Sequence, residues 1–438
     1  MPQKHEFTYH RFNDYRYTAN EEHWTYNIRY MTNKTHCPRG TSKRWACCLL
    51  VLSCALTGIG KVQSKSLPVQ DSATCRITNA VTGKALSLAR VSSSDGWHAW
   101  TNEEGMCRLP TGETMQLSCA GYERRMLKAG EIAQEVALTP LHESTAITEE
   151  ATAEILHKVA SQMQAELKQN RKLTSEYFIR QDNELNGSSH LIEGVFSARS
   201  AVCLAKTKML SGIHYCGEQG CQPLKYSNLH YTLSLGPVAR WGDLWNNLCL
   251  PLMTKSPKSK HFRYETDYHT ECHLMTSADG SQRLYRIRLI HNPRTPALRF
   301  LYGTLWVDAQ STQPVCFDGE TEGLEMRLHS HTGWRNSPMT ARVHINYTNR
   351  NGRTEVESMF TWCTCEDVTC TTSIMQAQGR VSPERMFPND RTNMLSRHVY
   401  TKESDSASIA LPMLRTERQK ALVQKGGKNC AAKTFTRF

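Results

Sequence analysis

No G-x-S-x-G turn occurs anywhere in this chain, so a hydrolase built on that nucleophile elbow is not expected. No phosphate-cradling glycine loop follows a strand pattern: Gly58-Ile59-Gly60-Lys61 falls in an N-terminal apolar run and Gly426-Gly427 in the tail. The paired C-x2-C spacing of structural zinc sites is missing as well. Although the net charge is +12, residues 1–64 hold nine Lys/Arg against four Asp/Glu, and the rest is spread thinly. With no basic cluster interleaved with aromatics, nucleic acid is not expected as a partner. The longest apolar run falls short of the ~20 residues that span a bilayer, so the chain is expected to be peripheral to a membrane at most.

That run is nonetheless informative. Lys43-Arg44 precedes Trp45 through Gly60, small residues follow at Val62-Gln63-Ser64, and the chain turns polar from Lys61. A basic flank, a short apolar core and a small-residue exit are the pattern of a secretory signal, with cleavage expected near Ser64. Val51-Leu52-Ser53-Cys54 also resembles a bacterial lipobox, which makes Cys54 a candidate for lipidation. Residues 1–30 are polar and tyrosine-rich without periodicity, and Met31 offers an alternative start. Residues 1–64 are therefore expected to be an N-terminal extension and signal peptide.

Of the 17 cysteines, Cys37, Cys47, Cys48 and Cys54 lie in that region and 13 remain. Export would place these in an oxidising compartment. Cys216 and Cys221 flank a Gly-Glu-Gln-Gly turn and are the candidate disulfide. Cys363, Cys365 and Cys370 read as strand core or disulfide, because cysteines at period two share one face.

From Cys75 to Glu123 short alternating runs are separated by Thr-Gly, Asn-Glu-Glu-Gly and Pro-Thr-Gly, where glycine supplies the positive φ of tight turns. Strands are predicted at 74–79, 86–92, 97–101, 106–109, 114–119, 122–128 and 133–138, a β-sandwich spanning 70–140. After a linker at Thr139-Pro140-Leu141, Thr148 caps a helix whose first turn holds Glu149 and Glu150. Ile155, Leu156, Val159, Met163 and Leu167 recur at helical spacing, predicting one amphipathic helix over 148–170. Period-two alternation at 191–198, 283–290, 301–308, 341–347 and 355–362 predicts an antiparallel sheet with one wet face. Helix and sheet together give an α+β domain over 141–373, leaving 374–438 as a polar, solvated tail with a short helix at 416–423.

Several elements point to a family. Thr82-Gly83-Lys84-Ala85-Leu86 with Ala89-Arg90-Val91, then Thr101-Asn102-Glu103-Glu104-Gly105, then Ser118-Cys119-Ala120-Gly121-Tyr122, resemble the carboxypeptidase-like regulatory domain. That domain is a transthyretin-like β-sandwich of envelope proteins in Bacteroidota-type bacteria. Departures are Cys107, where such domains place an aromatic, and Cys75, where they place glycine. Tyr302-Gly303-Thr304-Leu305-Trp306-Val307-Asp308 resembles a hairpin of periplasmic lipoprotein carriers, in which a curved antiparallel sheet half-wraps one helix. Asp71-Ser72-Ala73 and Asp405-Ser406-Ala407 resemble O-glycosylation acceptors placed in linkers, at Ser72 and Ser406.

The resemblance implies a non-catalytic protein of the periplasm or outer-membrane surface, with no cofactor. Its partner would be an envelope protein, lipid or glycan, and the helix and sheet would enclose an apolar hollow. The rival is a zinc hydrolase acting on envelope material. His190-Leu191-Ile192-Glu193 has the H-x-x-E spelling, but on a strand those two side chains point to opposite faces. His269, Cys272 and His273 are expected in a loop with solvated imidazoles, and His329 and His331 at an exposed strand end.

Overall fold

The seven strand windows of the N-terminal half are all occupied, as two small sheets that share one core. The computed structural model describes residues 72–131, 133–169, 174–185, 188–199, 205–216, 268–291, 301–330, 333–350, 352–366, 368–382 and 412–426, all within one unit, Ser66–Phe438. One small sheet has the order β4-β1-β7, formed by Met106–Pro110, Ser72–Asn79 and Glu135–Leu138. The other has the order β3-β2-β5-β6, formed by His98–Trp100, Arg90–Ser93, Met115–Ser118 and Arg125–Leu127.

Alternation decides which side chains meet between them. Cys75, Ile77, Cys107, Leu109, Val136 and Leu138 of the first sheet pack on Ala89, Val91, Met115, Leu117 and Leu127 of the second, each almost free of solvent. Burying a leucine- or isoleucine-sized side chain stabilises by roughly 1.5–3 kcal/mol, so this dry layer is what holds the sandwich together. β2 starts at Arg90 and not at residue 86, because Leu88 takes a left-handed conformation (φ 63°) that turns the chain before the strand can begin.

Where the sequence predicts a linker, the chain forms β8 (His142–Ile147), an exposed edge strand rich in polar side chains. The helix α1 follows at Glu149–Gln169. Its first turn is closed by Thr148, whose Oγ1 accepts from the Ala151 amide at 3.3 Å and whose carbonyl accepts from the Thr152 amide at 2.9 Å.

The remaining strands are β9 (Thr174–Leu185), β10 (Ser188–Arg199), β11 (Ala205–Cys216), β12 (Tyr268–Thr276), β13 (Arg283–His291) and β14 (Leu301–Asp308). They continue with β15 (Pro314–Ser330), β16 (Gly333–Arg350), β17 (Arg353–Cys365) and β18 (Val368–Ser382). With β8 they make an 11-stranded sheet of order β11-β10-β9-β18-β17-β16-β15-β14-β13-β12-β8, antiparallel at every pairing. The fold is thus β-rich, with α1 and a second helix α2 (Glu417–Gly426) among the described residues.

Register assigns the two faces of this sheet, since directly opposed residues point the same way. Ile179, Ile374, Met359, Ile345, Phe317, Leu305, Ile287 and Cys272 lie on one face. α1 packs against β12 and β17, with Leu156, Val159, Ala160 and Met163 buried. Those strands are five spacings apart, about 24 Å, and a 21-residue helix is about 31 Å long, so α1 is long enough to bridge them. The opposite face carries Phe178, Arg180, Met375, Phe360, His344, Asp318 and Trp306, and it is this face that the small sandwich covers.

Candidate functional site

Among the described residues, the covered face carries the buried Arg180, Asp182 and Glu193. At its apolar centre Trp100 and Leu88 of the sandwich pack on Phe178, Phe360 and Met375 of the sheet and on Met413 of the C-terminal segment. Polar groups ring that contact. Arg90 Nε lies 2.8 Å from Glu357 Oε1, and His98 Nε2 lies 2.7 Å from the Gln376 carbonyl. At the far side Gly121 stands so close to the Trp306 ring that a Cβ there would lie 3.0 Å from it. Gly121 also needs φ +84°, so no other residue suits the position.

Below the C-terminal segment lies a clamp of charges. Glu193 on β10 is 1% exposed and Arg180 on β9 is 2% exposed, with Nε 2.7 Å from Glu193 Oε1. Arg180 spends its other donors on the Leu414 and Met413 carbonyls, at 3.1 and 3.0 Å. Arg415 donates a second fork to Glu193 and lies over the Tyr215 ring. Burial pushes the Glu193 carboxyl up, but the Arg415 bonds and the two guanidinium charges outweigh it and hold the group below the usual range. At the rim Arg418 pairs with Asp182 and Glu184, and Gln419 donates to Asp182 at 3.0 Å. Residues 412–426, expected as solvated tail, are therefore a docked strap, because their carbonyls and arginines complete the bonding of buried β9 and β10 side chains.

A third group on the same face spells a nucleophile and base. Cys316 Sγ is 3.5 Å from His344 Nε2, and His344 Nδ1 is 4.0 Å from Asp318 Oδ1. Catalysis by such a set requires an accessible thiolate. Here burial, then the Asp318 charge and the nearby Cys119 thiol, raise the Cys316 thiol well above its ordinary value. Burial lowers the His344 imidazole, and its Nε2 is 3.2 Å from Asn346 Oδ1, whose amide donates to Ser358 at 2.9 Å. With its amide nitrogen donating to Ser358, Asn346 offers His344 Nε2 an acceptor, which favours a proton on that nitrogen and works against its serving as a base for the thiol. Asp318 is engaged by Arg342 through two bonds, at 3.1 and 2.9 Å. The arrangement can bond and pack, and its charge states oppose thiol attack.

The residues singled out from sequence are dispersed. His190 and Glu193 sit on opposite faces of β10, and burial depresses the His190 imidazole to about 4. His269, Cys272 and His273 lie on a strand, β12, and not in a loop. Cys272 is buried toward α1, where it meets the Thr152 hydroxyl. His269 and His273 share the other face four residues apart, about 13 Å, too far to share a metal. His273 Nδ1 instead lies 2.7 Å from Glu143 Oε1. Cys363, Cys365 and Cys370 are buried strand residues, as the period-two reading expects. No cluster of three or more His, Cys, Asp or Glu suited to a metal occurs among the described residues.

Ser72 is the exposed first residue of β1, a strand start where a linker was expected. Cys216 ends β11, while Cys221, Cys54, Ser406 and His331 lie outside the described residues. Sequence reasoning missed Arg180, Arg415, Cys316 and His344 as a set. The one available signal was Arg180-Gln181-Asp182-Asn183, a polar run too long for the wet face of a strand to account for.

No family model and no curated protein matches the chain. Among solved structures it is similar to a crystal structure of MucB in complex with MucA(peri), at 9% identity, covering 52% of this chain and 100% of that chain, with a TM-score of 0.13. A likeness at that level carries no argument about fold or function.

Proposed function

We propose that this is a secreted, non-catalytic protein of the cell envelope, in which a transthyretin-like module of the carboxypeptidase-like regulatory kind braces a larger binding sheet. The observation that carries this reading is the use made of the reactive groups on the covered face. Glu193 and Arg180 are paired with each other and sealed beneath the strap, and the buried Cys316 is engaged by His344, which Asp318 adjoins. A buried ion pair contributes little net stability over an apolar pair of the same volume, but it fixes one arrangement of its elements. The sandwich therefore serves to hold the sheet in shape, which is what a ligand-presenting scaffold needs.

The ligand in this reading is an apolar or glycan component of the envelope, held by the sheet and α1. The basic run at 43–44 and the apolar stretch after it direct the chain to the periplasm or outer-membrane surface. Among the described residues no helix is long and apolar enough to cross a membrane. The test is native mass spectrometry of the full chain recovered from an envelope fraction, together with elemental analysis. A lipid- or sugar-sized adduct without stoichiometric zinc is expected. One zinc per chain, with ester or amide hydrolysis abolished by chelation, would overturn the proposal in favour of a metallohydrolase.

A further inference from the structure

Two pairs of buried cysteines stand in cross-strand register. Cys75 on β1 lies opposite Cys107 on β4, and Cys363 on β17 lies opposite Cys370 on β18. Directly opposed residues of an antiparallel pair point to the same face with Cα atoms about 4.5–5.5 Å apart. A disulfide spans about 4.4–6.8 Å between Cα atoms, so neither pair needs backbone movement to close. Cys107 Sγ already reaches to 3.7 Å from the Cys75 carbonyl, across the strand gap. All four are thiols in this structure.

We propose that Cys75 with Cys107, and Cys363 with Cys370, are two disulfide-forming sites, the first closing the β4-β1 pair of the small sandwich and the second the β17-β18 hairpin. Cys365 is the nearest competitor, but its position is opposite Val368 and not a cysteine. Each bridge forms by two exchange steps with an oxidised dithiol donor, such as a thiol–disulfide oxidoreductase or glutathione disulfide. One thiolate attacks the donor disulfide and expels one donor thiolate; the opposed cysteine then attacks the mixed disulfide and expels the other. The protein loses two protons and two electrons, and the donor gains them as two thiols.

Timing follows from burial. Cys75 and Cys107 are wholly enclosed, and Cys363 and Cys370 are each 3% exposed. Burial raises the Cys75 and Cys370 thiols to about 11, and the Cys107 and Cys363 thiols further. Exchange needs an accessible thiolate, so the bridges form while the strands are still open and are shielded from reductant once the sheets close. The inference stands apart from the proposed function, because the donor can be supplied to the purified chain.

The experiment unfolds and reduces the full chain, refolds it in a buffer of glutathione and its disulfide, blocks remaining thiols at acidic pH and maps peptides by mass spectrometry with and without reduction. Two linked peptides are expected, Cys75 to Cys107 and Cys363 to Cys370, each losing two hydrogens relative to the reduced forms. Recovery of these four cysteines as blocked thiols overturns the proposal, and so does a different pairing such as Cys365 to Cys370. In Cys107→Ser, Cys75 is expected to be blocked while the second bridge persists. Persistence of Cys75 in a bridge would overturn the first site. If that variant does not fold, the map of the unaltered chain decides the question alone.

Discussion

The small sandwich and the covered face of the large sheet are held together by opposite chemistry. Between β4-β1-β7 and β3-β2-β5-β6 the shared core is apolar throughout, and no charge enters it. On the covered face Glu193, Arg180 and Arg415 form one charged group and His344 and Asp318 a second, with a few aromatics on the same face. The first core works by area removed from water and tolerates repacking. The second works by complete pairing, so it fails when one partner is lost.

The largest effect that would sharpen this contrast comes from Arg180→Ala. It leaves Glu193 with Arg415 alone and strips the Met413 and Leu414 carbonyls of their donors. A destabilisation of about 3–5 kcal/mol is expected in denaturant unfolding, with faster amide exchange across 412–426. Unchanged exchange there would break the idea that the strap is held by this clamp. Leu117→Ala, at the centre of the apolar core, is expected to cost about 3 kcal/mol, with exchange in 412–426 untouched. If both variants loosen the strap equally, the two regions do not differ in kind.

Acid provides a third and smaller probe. His190 has its folded pKa depressed to about 4, below the ~6.5 of an unfolded chain. Between those values the unfolded state binds the extra proton, so stability falls as pH drops from about 6.5 to 4. The loss is on the order of 2–3 kcal/mol, and His190→Gln is expected to flatten it in pH-dependent melting. Glu193 adds to the acid loss at the lower end, because its depressed carboxyl contributes stability above the ordinary carboxylate pKa and loses it as pH falls through the folded value. A profile equally steep with and without His190 would remove this residue as the cause.

Legibility in the sequence followed the same divide. In the sandwich β1, β4, β5 and β7 alternate against one dry face and each turn carries its glycine, so all seven strands were readable and their ends shifted by a few residues. α1 was readable from Thr148 and its apolar stripe, with observed ends at 149 and 169. β9 was not, since Arg180, Asp182 and Asn183 are buried where alternation expects water. The Met413 and Leu414 carbonyls that take the Arg180 donors, and Arg418, which pairs with Asp182, lie more than two hundred positions away, and no local pattern announces a polar group that is satisfied by a distant segment. β12 was read as a loop for a related reason: its histidines look solvated until Glu143 of β8 arrives beside His273.

The order of strands in the large sheet also sets a sequence of events in time. β9 pairs with β10 on one edge and with β18 on the other, so Asn183 waits for Cys370 before its second edge is complete. A ribosome or a translocon delivers β9 long before β18, and during that interval two central strands present unpaired backbone to their surroundings. A chain stopped short of Ser382 would keep that opening permanently. Protection of the half-finished sheet, by a chaperone or by the strands' own charges, is thus a requirement written into the topology.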